Sequence, residues 1–110
     1  MQRVALSYED GHVSESFGNA KEFRLYDIEY GKIIRQQSVK VSQDWYQSIA
    51  EYLVGQETDV VICGQIGRGA RSTFAGAGVK VYGGVTGDAD KTMKDFLDGS
   101  LVFNPMAGMT

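Results

Sequence analysis

The sequence is poor in several residue types: it has one cysteine, one proline and one histidine among its 110 residues. One cysteine cannot form a disulfide within the chain, so the sequence predicts a reducing compartment, most simply the cytoplasm. No apolar run is long enough to cross a membrane, and the apolar part of residues 1–6 is too short for a signal peptide. Because proline is scarce, we expect the 14 glycines to form the turns.

Basic residues are not in excess either, since 11 basic residues stand against 14 acidic ones and the net charge is −3. Surfaces that bind nucleic acid normally carry a basic excess, so the charge balance argues against such a partner. At 43% hydrophobic and 23% charged residues, the composition is that of an ordinary globular protein. The length suits a single domain over residues 1–110, without nucleic acid or membrane as a partner.

The hydrophobic pattern predicts an α/β fold with the element order β-β-β-α-β-α-β-α and a mixed five-stranded sheet with helices on both faces. The strands are predicted near residues 3–8, 22–29, 33–41, 59–63 and 79–82, the helices at 42–55, 69–75 and 88–98, and a loosely held tail at about 100–110. A tight turn makes the second and third strands an antiparallel hairpin, whereas the last two strands flank a helix and are predicted to be parallel.

Capping residues set the predicted helix ends. The first helix is expected to begin with Ser42 as its N-cap and Asp44 in its first turn, and to end at Gly55. The last helix is expected to start after Asp88 and to stop at Gly99. The glycines between the final strand and this helix, Gly83, Gly84 and Gly87, are interpreted as a flexible link.

The chain is organised around residues 59–71, which read DVVICGQIGRGAR. A buried strand ends in a sharp glycine turn, and the first turn of the next helix directs its free N–H groups back toward the strand tip. Such a place receives anions. The predicted anion-binding residues are Gly64, Gly67, Arg68, Gly69 and Arg71. The alternative is a tight turn in which glycine only relieves backbone strain.

The glycine spacing fits neither common nucleotide-binding motif. Gly64 and Gly69 have the spacing of P-loop glycines, but Ala70 and Arg71 follow where lysine and then serine or threonine are required. The dinucleotide pattern G-x-G-x-x-G is also absent, because the glycines here are spaced G-x-x-G-x-G, which is the reverse of that pattern. The stretch therefore predicts an anion site without predicting a nucleotide.

The loop over residues 9–18 is expected to meet the glycine turn. The first and fourth predicted strands are central neighbours whose connections leave in opposite directions, and ligands collect at the carboxyl ends of strands at such a point. This loop brings His12, Phe17 and Gly18 to the predicted crevice, and Cys63 lies where the fourth strand ends.

Three of these side chains have alternative roles. His12 is either a metal ligand or a solvated loop histidine, and Cys63 is either a thiolate ligand for a soft metal or a small buried residue. Phe17 either walls the pocket or packs into the core. One cysteine and one histidine do not make a closed zinc site.

Short motifs then occur in a fixed order: EDGHV from Glu9, FGNA from Phe17, FRLYDIE from Phe23, DVVI from Asp59, IGRGA from Ile66, GVKV from Gly78 and GSL from Gly99. In their order and spacing these motifs resemble the family of dinitrogenase iron–molybdenum cofactor-binding proteins, over about residues 3–101. The resemblance implies a ribonuclease-H-like mixed sheet and a small carrier that binds an iron–molybdenum cofactor, an iron–sulfur cluster or a precursor, and meets cluster-assembly or acceptor proteins.

One position departs from the family pattern. Members often have histidine directly before the Phe-Gly pair, whereas this chain has Ser16 before Phe17, and His12 lies four positions earlier. Two functions are therefore predicted: a non-catalytic carrier of an anionic metal cluster, or a metal-free regulatory or interaction module that has kept the fold.

The implied fold also raises the possibility of a nuclease, which would need several carboxylates converging on divalent metal. The available acids are Asp10, Asp27 and Asp59. Asp10 follows the first strand and Asp59 begins the fourth, so they are predicted at opposite ends of the sheet. The sequence also lacks a Ser/His/Asp set with supporting spacing, and we therefore predict that the protein is not an enzyme.

Overall fold

The computed structural model describes residues 1–41 and 48–106. These residues form six strands and three helices. In chain order the elements are β1 (Gln2–Glu9), β2 (His12–Val13), β3 (Glu22–Glu29), β4 (Lys32–Lys40), α1 (Ile49–Gly55), β5 (Val60–Ile62), α2 (Arg68–Gly76), β6 (Lys80–Tyr82) and α3 (Ala89–Asp98).

The strands form one mixed sheet in the order β4-β3-β1-β5-β6. The first three strands of this order pair antiparallel, while β1 pairs parallel with β5 and β5 pairs parallel with β6. Val4 lies opposite Val60, and Leu6 lies opposite Ile62. The first and fourth strands of the sequence pattern are neighbours at the centre of the sheet, as predicted.

The prediction of five strands was wrong by one, because β2 was not among them. Glu9 and His12 pair across a two-residue turn in which Asp10 and Gly11 have φ values of 48° and 88°. Positive φ at both central residues is what the tight hairpin turns of this kind require. The Asp-Gly dipeptide was the available signal, because it marks such turns between strand residues.

The sheet carries helices on both faces, as predicted. Alternate residues of β1 point to opposite sides, so that Ala5 belongs to one core while Val4 and Leu6 belong to the other. α1 and α2 close the first core with Leu53 and Phe74, and α3 closes the second core with other side chains, namely Ala89 and Met93.

The helix ends follow the capping rules. α1 begins at Ile49, where Ser48 Oγ accepts from the Glu51 N–H at 3.1 Å. It ends at Gly55 as predicted. The predicted cap Ser42 and first-turn residue Asp44 lie outside the described residues.

α3 begins and ends where the sequence predicted. The carboxylate of Asp88 accepts from the Lys91 N–H at 2.8 Å, and Gly99 ends the helix in the left-handed region at φ 77°. None of the described helices combines the length and the apolar character that crossing a bilayer requires.

Candidate functional site

The two loops that were predicted to meet do pair, at the carboxyl ends of β1 and β5. The Gln65 N–H donates to the Glu15 carbonyl at 2.7 Å, and the Phe17 N–H donates to the Gln65 carbonyl at 2.8 Å. Ser16 and Gln65 thereby form an isolated parallel bridge. The sheet is in effect extended by one step beyond its regular strands, and the glycine turn has a fixed position against the first loop.

The close approach of the first loop's backbone explains why position 64 is glycine. A Cβ atom at this position would lie against the Glu15 carbonyl and 2.6 Å from the Ser14 carbonyl oxygen. A side chain has no room there, so Gly64 is needed for loop packing. Gly67 and Gly69 differ, because a Cβ at either position would meet nothing within 4 Å.

A third loop, residues 83–88, completes the arrangement. Its Gly84 N–H donates to the Gly64 carbonyl at 2.8 Å, and its Val85 N–H donates to the Cys63 carbonyl at 3.0 Å. Gly87 accepts from the Val13 N–H at 2.9 Å. The interpretation of this segment as a flexible link was wrong, because its backbone is bonded to both other loops and Val85 is buried.

The tail that follows α3 contacts the body of the protein through Phe103 and Asn104. The Asn104 N–H donates to the Gly83 carbonyl at 2.8 Å, and the Phe103 ring packs edge-on against Tyr82 with centroids 4.6 Å apart. Arg71 Nη2 also lies 3.5 Å from the Asn104 carbonyl. These contacts extend as far as Asn104, and residues 107–110 lie outside the described residues.

The N-terminal end of α2 is chemically suited to an anion. Gly67 is its N-cap and has no side chain that could accept from the first-turn N–H groups. The first turn, whose residues are all described, contains no acidic residue. Free N–H groups and the positive end of the helix dipole therefore face outward at this end. Arg68 and Arg71 place two positive charges in the same turn.

Seven of the nine predicted site residues line three separate depressions. Four of them line a cavity of about 510 Å³ between the starts of α1 and α2, namely Phe17, Gly18, Gly67 and Gly69. The two arginines line a depression of about 330 Å³ on the outer side of α2, namely Arg68 and Arg71. His12 lines a separate depression of about 330 Å³.

Phe17 has both of the roles considered for it. The side chain is buried, and its ring packs edge-on against Phe23 and Phe74 with centroids 5.4 and 5.6 Å away. It also contributes to the wall of the larger cavity. The aromatic cluster therefore fixes one side of the cavity rigidly.

Cys63 lies inside the core, with no exposed surface. Burial raises the pKa of the Cys63 thiol to about 12, and the charge of Arg71 opposes this rise only in part. Without a metal the residue is therefore a protonated thiol at neutral pH, and its burial leaves no surface from which the sulfur could contact a ligand.

His12 is exposed and lies in an acidic neighbourhood. The depression that it lines also contains Glu9, Asp10 and Glu15. Within residues 1–41 and 48–106, no group of three or more His, Cys, Asp or Glu side chains could hold a metal ion. Direct ligation by His12 stays a prediction.

Two of the three candidate nuclease carboxylates are bound by one arginine. Arg3 Nε donates to Asp27 at 2.7 Å, and the Arg3 N–H donates to Asp59 at 2.8 Å. Asp10 lies in the hairpin turn that follows the opposite end of β1. The three carboxylates therefore do not converge.

The chain is similar to known proteins over most of its length. Residues 1–99 match the family described as dinitrogenase iron-molybdenum cofactor. The chain belongs to this family. An uncharacterized protein of Methanocaldococcus jannaschii is 26% identical to this family member over 106 residues, which are 92% of this chain and 90% of that protein.

Several solved structures have a fold similar to that of this family member. The crystal structure of PH0822 has a TM-score of 0.87 and 28% identity, covering 94% of this family member and 96% of that chain. The apo form of the orange protein from Desulfovibrio gigas has a TM-score of 0.79 and 27% identity, covering 96% and 94% of the two chains. The mixed α/β sheet is thus common to this family member and its structural relatives.

Proposed function

We propose that this protein is a small, non-catalytic cytoplasmic carrier of an anionic iron–molybdenum or iron–sulfur type cluster, or of a precursor, which it passes to an assembly or acceptor protein. Family membership supports this class of cargo. The observation that carries the proposal is the start of α2, where a helix end without a side-chain cap borders the open cavity beside Phe17. Arg68 and Arg71 of the same turn line a separate depression on this helix. The ribonuclease-H-like architecture implied by the resemblance is part of the same proposal.

The open space at Gly67 and Gly69 supports a ligand at this turn. Neither glycine is required by packing, and Gly67 has an ordinary φ of −77°. Because glycine has no side chain, the N–H groups of this first turn stay accessible to a bulky anion. Arg68 and Arg71 would neutralise its charge and donate hydrogen bonds to its sulfur or oxygen atoms.

The residues suit a cluster that is bound through hydrogen bonds and charge better than one whose metal is coordinated by protein side chains. Cys63 is a buried, protonated thiol, and His12 lies in an acidic depression that repels an anion. We therefore assign binding to the backbone N–H groups and the arginines. Direct ligation by Cys63 or His12 is the alternative, and the experiment below separates the two.

Anaerobic loading with a synthetic iron–sulfur cluster, followed by desalting, absorbance and iron analysis, tests the carrier. We expect stoichiometric iron in the unmodified protein and in Cys63→Ala and His12→Ala. The double variant Arg68→Gln/Arg71→Gln should lose most of it, whereas Lys32→Gln/Arg35→Gln on strand β4 is the matched control for two lost charges. Iron lost in Cys63→Ala or His12→Ala would assign direct ligation, and no retained iron in the unmodified protein would contradict the carrier.

A metal-free regulatory or interaction module is the second candidate, and Ser16 favours it. Ser16 takes the place where family members often have histidine, and its Oγ accepts from Asn19 Nδ2 at 3.3 Å. The serine is thus used to order its own loop. If the unmodified protein retains no iron but co-purifies with a cluster-assembly protein, this second function is favoured.

A further inference from the structure

The strand β4 forms a long open edge of the sheet. It pairs with β3 along one side, and among the residues that the structure describes no strand lies along its other side. Eight of its nine residues are exposed, and the ninth, Val39, is partly buried. A strand in this position presents backbone N–H and C=O groups that no neighbouring strand binds, so it can pair with a strand from another chain.

The opposite edge of the sheet, β6, is short and is contacted by the tail. It has three residues, whereas β4 has nine. The Phe103 ring packs against Tyr82 of β6, and the Asn104 N–H donates to the carbonyl of Gly83, which follows the strand. Proteins protect sheet edges by keeping them short or by covering them. β6 has both kinds of protection, and β4 has neither.

The charge of β4 is of one sign, because the strand contains Lys32, Arg35 and Lys40 and no acidic residue. All three basic side chains are exposed. β3 has an acidic residue opposite each of them, yet within residues 1–41 and 48–106 no salt bridge joins the two strands. Asp27, which lies opposite Arg35, is bound by Arg3 at 2.7 Å instead. The three cations are therefore available to carboxylates of another molecule.

Exposed apolar side chains lie among these cations. The register shifts by one residue between Ile33 and Arg35, so that Ile34 has no residue opposite it on β3. Ile34 is 56% exposed, and Tyr30 in the adjoining turn is 93% exposed. The edge thus combines open backbone groups, positive charge and apolar surface.

We propose that β4 binds an extended acidic segment of a partner protein, which adds to the sheet as a further strand. The backbone of the segment pairs with the open edge, its carboxylates lie beside the basic side chains of β4, and its apolar side chains contact Ile34. A second copy of this chain suits the edge less well, because two β4 strands would bring like charges together. A nucleic acid would match the charge but would leave the backbone groups and Ile34 unused.

Titration with the acetylated and amidated peptide EVETEVE, followed through backbone amide shifts in ¹H–¹⁵N spectra, tests this edge. We expect saturable shifts along β4, slower hydrogen exchange at its amides, and no binding of the basic peptide KVKTKVK. N-methylation of the EVETEVE backbone keeps the charge but removes the N–H donors. It should weaken binding by at least about tenfold, as the loss of several hydrogen bonds does.

Two matched double variants test the contribution of charge. Lys32→Gln/Arg35→Gln should weaken EVETEVE binding on the order of tenfold, whereas Arg68→Gln/Arg71→Gln, which removes the same charge from α2, should not. Circular dichroism verifies that both variants keep the fold. The two variants have the opposite ranking in the iron-loading experiment, so failure of this proposal is distinguishable from failure of the carrier.

Other occupants of the edge give different results. Equal affinity of EVETEVE and its N-methylated form would mean that charge alone attracts the peptide, without an added strand. A dimer of the unmodified protein in sedimentation that dissociates in Ile34→Lys would assign the edge to a second copy. Shifts along β4 with a single-stranded RNA oligonucleotide but not with EVETEVE would assign it to nucleic acid. Each of these results would overturn the proposal, as would the absence of saturable shifts with EVETEVE.

Discussion

The backbone of Gly64 lies so close to the carbonyl group of Glu15 that no side chain fits between them. We expect Gly64→Ala to force the two loops apart and to lower the free energy of unfolding by about 1–3 kcal/mol, the range for overpacked sites. Urea unfolding followed by circular dichroism measures this change.

Gly69→Ala is the matched control in the same turn. An added methyl group meets nothing within 4 Å there, and Gly69 lies in the first turn of α2. We expect it to raise the free energy of unfolding by up to about 1 kcal/mol, because alanine favours the helix. If both variants were equally destabilised, close packing at Gly64 would not be the cause.

The ion pair of Arg3 and Asp27 predicts a pH-dependent contribution to stability. Arg3 hydrogen bonds hold the pKa of Asp27 below its ordinary value, against the opposing effect of burial. A lowered folded-state pKa stabilises the protein above the unfolded-state value, and this contribution is lost as pH falls through the folded-state value. We expect Asp27→Asn to cost about 2–3 kcal/mol at neutral pH, and this difference to shrink below about pH 4.

Urea unfolding at several pH values measures this dependence. Glu29→Gln, an exposed carboxylate on the same strand, is the control and should change stability little. A cost of Asp27→Asn that stays constant down to acidic pH would contradict the assignment.

Cys63 is expected to resist thiol reagents in the native protein. Its side chain has no exposed surface, and burial raises its pKa to about 12. Labelling with a chromogenic disulfide reagent at mildly alkaline pH should therefore proceed only through unfolding, and urea should accelerate it strongly. The variant Cys63→Ala/Ser72→Cys moves the thiol to an exposed position of α2 and should react at once. Equal labelling rates for the two proteins would place Cys63 at the surface.

Phe103 is expected to anchor the tail through Tyr82. Phe103→Ala removes an edge-on ring contact and should cost about 0.5–1.5 kcal/mol. It should also speed hydrogen exchange at the Asn104 amide, which donates to Gly83. Val102→Ala is the control, because Val102 is 85% exposed. Unchanged exchange at Asn104 in Phe103→Ala would mean that the ring contact does not hold the tail.

Side-chain patterns predicted the parts of the fold that side chains determine. The apolar run Val60–Ile62 gave the central parallel strand, and the cap Asp88 with the stop Gly99 gave α3. The turn of Asp10 and Gly11 was missed although its dipeptide signal was present. Residues 83–88 pair with both other loops through backbone groups, which every residue carries. No side-chain pattern therefore predicts this pairing.

The sequence predicted that the two loops meet, but it did not predict how their side chains are distributed around the turn. The loops do meet, but Arg68 and Gly69 line different depressions because successive residues of a helix point about 100° apart. The burial of Cys63 and the acidic surroundings of His12 depend on how distant segments pack. Spacing along the sequence alone does not contain that information.

The loop over residues 83–88 has a consequence for protein engineering. Its amides bind the carbonyls of Cys63 and Gly64, and its last residue, Asp88, caps α3. The same loop therefore connects the glycine turn to α3, which packs on the far side of the sheet. A short peptide copying residues 59–71, transplanted into a foreign scaffold, would lack the bonds that give the turn its form.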